Sequence, residues 1–424
     1  MSLQSIKGRR APYLARRAVS LARRYGIRDR KAMVRVRRCV EVLAAYELAP
    51  TFATPGRVVE RAPAFFRDLQ EMGVELAIHG YDHVDFRSLD DEEARRQFER
   101  AADAFHRNGI SFVGFRCPYL SYTQRLAGII PREMFRYSSN EAISWDVVPA
   151  ANGGSTFAKL EEFYAASPAA ETVSTPRVTE AFIEIPISLP DDLQLLDGFR
   201  VGTDEIARAW RTILAETHRR GELFAPLFHP ESFDSLRKAV EAVLGDARER
   251  EPHVWMTQLR DIARWWEERA AFEATTSIEG GLLRVDLSCS ERATILVRDW
   301  ADGSNTKAWD ERYSVLADRT LYVDPTKRPF VGLLGASRRT VEFLREEGFV
   351  LELDGEASSC TVCIDPELDA TFENDLQRIA YVESTRGPLV RFSRWPNKAK
   401  SALCFAGDLD ALSLREYAAR LLPR

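Results

Sequence analysis

Cysteine is scarce in this chain, with six in 424 residues at no regular spacing. A disulfide framework is therefore excluded as the source of stability, and a reducing compartment is the expectation. Histidine is as scarce, again six, so two imidazoles close together in sequence carry weight. No run of about 18 apolar residues occurs, which argues against a spanning helix. Nor does an apolar stretch follow the basic start Met1–Arg10, so the expectation is no secretory signal and a cytoplasmic address. Repeats and low-complexity tracts are missing too. What is present is an ordinary globular composition, 45% hydrophobic and 29% charged with 23 Gly and 20 Pro, which excludes collagen-like or wholly disordered chains. The length implies more than one domain.

The net charge of −5 is unevenly spread. Residues 1–40 hold 13 Lys or Arg against one acid, Asp29, so they carry +12 and the remainder −17. Tyr13, Leu14, Val19, Leu21 and Ala22 interleave with Arg16, Arg17, Arg23 and Arg24 at helical spacing. That reads as a helix with a solvated basic face and an apolar side packed on its own domain. The same face suits peripheral contact of residues 1–40 with an anionic membrane. Nucleic acid is not an expected partner, because the rest of the chain is acidic and no recognised binding module appears. Nothing speaks to oligomeric state.

From residue 10 to about 270, short apolar strands alternate with amphipathic helices, the pattern of a parallel α/β layer the size of a barrel or wound sheet. Strands are expected at Thr51–Thr54, Glu75–Ile78, Phe112–Phe115, Ala181–Ile187 and Phe224–His229. Helices are expected at Lys31–Tyr46, Ala62–Met72, Asp91–Asn108 and Asp204–Arg220, the last three each ending directly before a glycine. After a helical run at Val254–Arg269 the texture changes to turn-separated strands, a small antiparallel sheet. A small α/β piece follows the Asp324–Pro329 linker. The expected division is a barrel at 1–270, a β domain at 271–326, an α/β segment at 327–394 and a final strand and helix at 395–424.

The sharpest local signal is His79-Gly-Tyr-Asp-His83, two imidazoles at the carboxyl end of an apolar strand. In a parallel α/β fold that end is where ligands bind, and two such histidines can converge on one cation. The strand Phe112–Phe115 ends in Arg116-Cys-Pro-Tyr119, and the strand containing Leu227 ends in His229-Pro-Glu231, so three strand ends point to one rim. Two neutral imidazoles leave a divalent metal short of charge, and a carboxylate must be found. Asp29, Glu41 and Glu47 cap no strand. Gly407-Asp408-Leu-Asp410 does, directly before a helix, and the strand Ser401–Ala406 has no partner sheet nearby. It is expected to return to the first domain and fill a vacant strand position.

The series Thr51-Phe-Ala-Thr-Pro-Gly-Arg-Val-Val, His79-Gly-Tyr-Asp-His83, Phe115-Arg-Cys-Pro-Tyr119 and Leu227-Phe-His229 resembles, in order and spacing, the polysaccharide deacetylases, the NodB-homology domain of carbohydrate esterase family 4. That family's first motif, normally Thr-Phe-Asp-Asp at the start of the domain, is similar to Cys404-Phe-Ala-Gly-Asp408-Leu-Asp410, so the domain looks circularly permuted. The resemblance covers roughly residues 40–270 and 395–424. It implies a deformed (β/α) barrel, here carrying an inserted β-rich domain and a small α/β segment, with a divalent metal, usually zinc. It also implies hydrolysis of N-acetyl groups from an amino sugar or glycan precursor.

Carried over residue by residue, the resemblance makes His79 and His83 metal ligands. The acid pair supplies a base, assigned to Asp408, and a ligand, assigned to Asp410, although Leu409 separates acids that are adjacent in the family and the assignment stays open. Arg116 orients the base, the Tyr119 backbone N–H forms the oxyanion hole, and His229 is the general acid. The acid that charges this histidine has no direct match beside Trp145, and Asp146 and the Pro190-Asp-Asp192 turn stand in for it. The chemistry is coherent in its own right: metal-activated water, an Asp that takes its proton and a His that protonates the departing nitrogen. Two other readings remain, a catalytically degenerate carbohydrate-binding or scaffold protein and a hydrolase of a small non-sugar amide. Cys360-Thr-Val-Cys363 lies on a strand, where residues three apart face opposite sides, and Gly332-Leu-Leu-Gly335 lacks the lysine of a phosphate loop. Neither reads as a site.

Overall fold

The computed structural model describes residues 19, 21–148, 157–159, 161–300, 305–353 and 355–420. Tyr13, Leu14, Arg16 and Arg17 of the basic segment lie outside them. Among the described residues no helix is long and apolar enough to cross a membrane.

An eight-stranded sheet carries the fold. Its order is Leu227–Phe228, Ala406–Asp408, Thr51–Thr54, Glu75–Ile78, Gly114–Phe115, Tyr137–Ser138, Ile183–Glu184 and Arg177–Val178. Every pairing is parallel except the last. The sheet curls until its ends meet: Ser188, just past Ile183–Glu184, bridges Pro226 and donates its N–H to the Ala225 carbonyl at 2.8 Å. The result is a deformed α/β barrel. Ala406–Asp408 runs between Thr51–Thr54 and Leu227–Phe228, so a strand from the far end of the sequence sits inside the sheet.

Local chemistry explains the elements. The helix Arg30–Ala44 buries Ala32, Val36, Cys39, Val40 and Leu43, one stripe at three- and four-residue spacing. The helix Asp91–Arg107 is capped by the Asp90 side chain accepting from Glu93 N–H, with acids in its first turn and His106 and Arg107 in its last, as the helix dipole favours. Three runs expected as continuous are broken. Pro186 divides Ile183–Glu184 from Ile187–Leu189, and Pro226 divides Leu223–Phe224 from Leu227–Phe228, because proline removes a ladder donor. Ser401–Ala406 becomes Ser401–Leu403, paired with Leu223–Phe224 and Val254–Met256, and Ala406–Asp408, paired one step along the barrel. The expected helix Val254–Arg269 is a strand, Val254–Met256, followed by the helix Leu259–Arg269, since Val254 and Trp255 suit a ladder.

The base of the barrel holds an apolar cluster. Leu223, Ala225, Ala402, Cys404 and Ala406 pack against Leu259, Trp265, Trp266 and Trp395. Between Glu273 and Phe392 an inserted unit builds antiparallel sheets and a parallel three-stranded sheet centred on Arg328–Leu333. Leu283, Val285 and Ile295 share one core with Phe330, Val350 and Val390, so the two inserted pieces are packed as a single body.

Candidate active site at the barrel mouth

The carboxyl ends of the parallel strands bring the charged groups together. His79 follows Glu75–Ile78 and is wholly buried. Gly80, at φ 69°, turns the chain there, and a Cβ on it would meet the Asp82 carbonyl at 3.1 Å. Gln97 pins the turn by accepting from the Tyr81 and Asp82 N–H groups at 3.1 and 2.8 Å. His83 is thereby folded back, its ring centroid 5.1 Å from that of His79.

Asp408 and Asp410 arrive from the inserted strand. Leu409 donates its N–H to the Ala53 carbonyl at 2.9 Å, which keeps the chain extended past Asp408. In an extended chain residues two apart share a face. Both acids therefore turn inward while Leu409, fully buried, joins the apolar layer behind. His79 Nε2 lies 3.7 Å from Asp408 Oδ2 and 3.6 Å from Asp410 Oδ1, and His83 Nε2 lies 3.2 Å from Asp410 Oδ1. His79, His83 and Asp410 form a group whose ligand atoms lie within 4.8 Å of one another.

These atoms fit a cation. His79 Nδ1 sits 2.8 Å from the Arg116 carbonyl, an acceptor that requires the proton on Nδ1 and leaves the Nε2 lone pair facing the acids. Nε2 and Asp410 Oδ1 are buried with no hydrogen-bond partner among the described residues, a costly arrangement for a site meant to stay vacant. Burial pushes both imidazoles down, His83 to about 4, so both are neutral donors near pH 7. Burial would raise Asp410, but His83 and Arg420 beside it hold its carboxyl well below the usual range.

Around this centre stand the other expected residues. Arg116, 2% exposed, donates from Nη1 to Asp408 Oδ1 at 2.8 Å, and Ser139 holds its Nε and Nη2. Tyr119 occupies the left-handed region at φ 59°, ψ 18° with its ring 4.6 Å from that of His83. His229, after Leu227–Phe228, has Nε2 3.9 Å from Asp410 Oδ2 and Nδ1 2.7 Å from Asp192 Oδ1. Burial and Arg24 push this imidazole down, yet Asp192 and Asp410 outweigh them and raise it to about 9. Of the two stand-ins, Asp192 is wholly buried and partners His229, whereas Asp146 is exposed.

The basic segment also reaches the mouth. Arg24 does not lie on a solvated face: it is 5% exposed, donates to Glu231 Oε1 from Nε at 2.9 Å, and has Nη2 3.5 Å from Asp410 Oδ2. Tyr25 donates its hydroxyl to the same Glu231 oxygen at 2.8 Å. Arg24, Glu231 and Arg420 are residues that sequence reasoning passed over. Only the proximity of Glu231 to His229 hinted at one of them.

No curated protein matches the chain in sequence. Solved structures that the chain is similar to include a Mycobacterium smegmatis protein described as a polysaccharide deacetylase, at 18% identity and TM-score 0.47 over 63% of this chain and 88% of that one. A family 4 carbohydrate esterase from Streptomyces lividans in complex with acetate matches at 16% identity and TM-score 0.28, over 50% and 80%. A family 4 pseudoenzyme from Bacillus anthracis matches at 14% and 0.33, over 55% and 61%. By sequence, the chain is similar to the polysaccharide deacetylases, whose family model matches its residues 29–133.

Proposed function

We propose that this protein is a metal-dependent hydrolase that removes an N-acetyl or related acyl group from an amino sugar or a sugar-containing precursor. The observation that carries the reading is the convergence of His79, His83 and Asp410 with two ready-made proton handlers, Asp408 on Arg116 and His229 on Asp192. His79, His83 and Asp410 would hold a divalent ion, zinc by the chemistry of two imidazoles and a carboxylate. When bound, such an ion supplies Lewis acidity, lowering the pKa of a water from 15.7 toward about 7 and polarising an acyl carbonyl.

The chain's own groups do the rest. Asp408, its Oδ1 fixed by Arg116, presents Oδ2 as the base that takes the attacking water's proton. His229 carries a proton at neutral pH because Asp192 holds it charged, and delivers that proton from Nε2 to the departing nitrogen. The left-handed turn at Tyr119, whose ring lies against His83, supports a role for its backbone N–H as the donor to the developing oxyanion. In this reading the domain is a permuted deacetylase barrel, its first strand supplied by Ala406–Asp408.

Metal analysis and acetate release from N-acetyl amino sugars test the proposal. The zinc-loaded protein should hold about one ion per chain and release acetate. His79→Ala should lose the metal, and His229→Ala should keep it while turnover falls. Equal metal loss in both variants would make His229 a ligand and the assigned roles wrong. A protein that takes up no divalent metal would favour a degenerate binding protein.

A further inference from the structure

Among the described residues, the buried cations Arg116, Arg24 and His229 at the mouth each have an acid of their own, and the half-buried Arg420 does not. Arg116 has Asp408, Arg24 has Glu231, and His229 has Asp192. Arg420 has only a share of Asp410, with Nη1 3.4 Å from Oδ2. That oxygen also faces Arg24 at 3.5 Å and His229 at 3.9 Å, while Oδ1 faces the two histidines. Arg420 Nη2 is buried without a hydrogen-bond partner among the described residues, and the side chain is 13% exposed.

A guanidinium presents five donors in a fixed fork, and leaving a buried donor unmade costs roughly 1–3 kcal/mol. The residue is held in place, with its guanidinium carbon 5.4 Å from the Tyr417 ring centroid and the Leu414–Ala419 helix behind it. Leu414 N–H donates to the Gly26 carbonyl at 2.9 Å, tying that helix to the segment that carries Arg24. The contact of Arg420 with Asp410, whose other oxygen faces His79 and His83, puts it over the reacting end of the site and not on a distant rim.

We infer that Arg420 is a specificity residue that receives an anionic group, carboxylate or phosphate, carried by the acylated substrate close to the bond that is cut. The inference rests on the hydrolase reading for what surrounds that group. The fork matches the paired oxygens of either anion, and the unmade Nη2 donor supplies the vacancy that such an oxygen fills. A neutral sugar offers no acceptor of matching charge there.

Calorimetric titration of the full chain, zinc-loaded and after chelation, tests this with N-acetylglucosamine, N-acetylmuramic acid and N-acetylglucosamine 1-phosphate as probes. Charge-assisted bonds predict at least tenfold tighter binding of one or both anionic sugars over the neutral one. The arm that wins separates carboxylate from phosphate. R420Q should abolish the preference, with zinc content measured in the same variant because Arg420 faces Asp410, and R420K should restore part of it. Equal binding of all three sugars, no binding of any, or a preference that survives in R420Q would overturn the inference. Acetate release from the neutral sugar reports on the hydrolase reading separately. Release without anion preference overturns only the role of Arg420, whereas anion preference without release of acetate from any probe overturns the hydrolase and keeps Arg420 as an anion site.

Discussion

The two ends of the barrel are built from the same strands and differ in almost every physical respect. At the base, Ala402, Cys404 and Ala406 meet Leu223, Ala225 and three tryptophans, an apolar cluster with buried acids only at its border, such as Glu75, which accepts from the Thr51 and Tyr137 hydroxyls. At the mouth, a few residues further along those strands, Asp408, Asp410, Arg116, Arg24 and His229 are all under a tenth exposed. Burial of apolar surface stabilises the first end by about 25 cal/mol per Å². At the second, desolvation roughly offsets attraction, and ion pairs of this kind are weak sources of stability. The contrast assigns cohesion to the base and chemistry to the mouth.

The largest expected effect removes the strand that serves both ends. Deleting residues 401–420 takes an interior strand from between Thr51–Thr54 and Leu227–Phe228, and the loss should exceed the whole stability of about 5–15 kcal/mol. Far-UV circular dichroism and gel filtration should show no native monomer, and a truncated chain with native thermal stability would break the comparison. Next come two substitutions that should separate the ends. Trp265→Ala at the base, where the ring is wholly buried and its Nε1 donates to the Arg394 carbonyl, should cost about 3–5 kcal/mol in urea unfolding and leave zinc affinity intact. His229→Ala at the mouth should lower turnover by roughly 10²–10⁴ with metal content unchanged.

A smaller effect sits one layer behind the mouth. Glu184 accepts from the Asn140 and Glu141 N–H groups at 2.6 and 2.7 Å and from the Ser138 hydroxyl, and burial raises its carboxyl to about 7. The folded state therefore keeps a proton that the unfolded chain has already released. Stability should fall as pH rises from about 4.5 to about 7, by up to about 3 kcal/mol for that shift. Glu184→Gln should flatten this part of the pH profile in urea titrations, and an unchanged slope would show that another group carries it.

Much of this arrangement could be read from one chain. The strand ends at His79, Arg116 and His229 were visible because apolar runs of four or five residues stop abruptly at polar ones. The C-terminal strand was legible because it had acids at its end and no neighbour to pair with. Less legible was the meaning of the gap between Asp408 and Asp410. An intervening leucine looks like a fault in a motif until the extended backbone shows that alternation puts both acids on one side. Asp192 was a choice between two acids, because only folding decides which reaches His229. Arg24 and Arg420 could not be found at all. A basic run looks solvated in sequence, and what buries Arg24 is Glu231, some 200 residues away. Broken strands at Pro186 and Pro226 were within reach of sequence reasoning, since a missing N–H interrupts a ladder wherever it falls.

The position of Ala406–Asp408 also has a consequence in time. During synthesis Thr51–Thr54 and Leu227–Phe228 emerge long before the strand that must lie between them. Until then the nascent barrel is a split sheet with two unsatisfied edges, the kind of surface on which other chains add. The intervening Glu273–Phe392 unit has packing clusters of its own, so the missing strand is delivered from a compact body. Closure then pays for a contact separated by about 350 residues with a short tether instead of a long random coil.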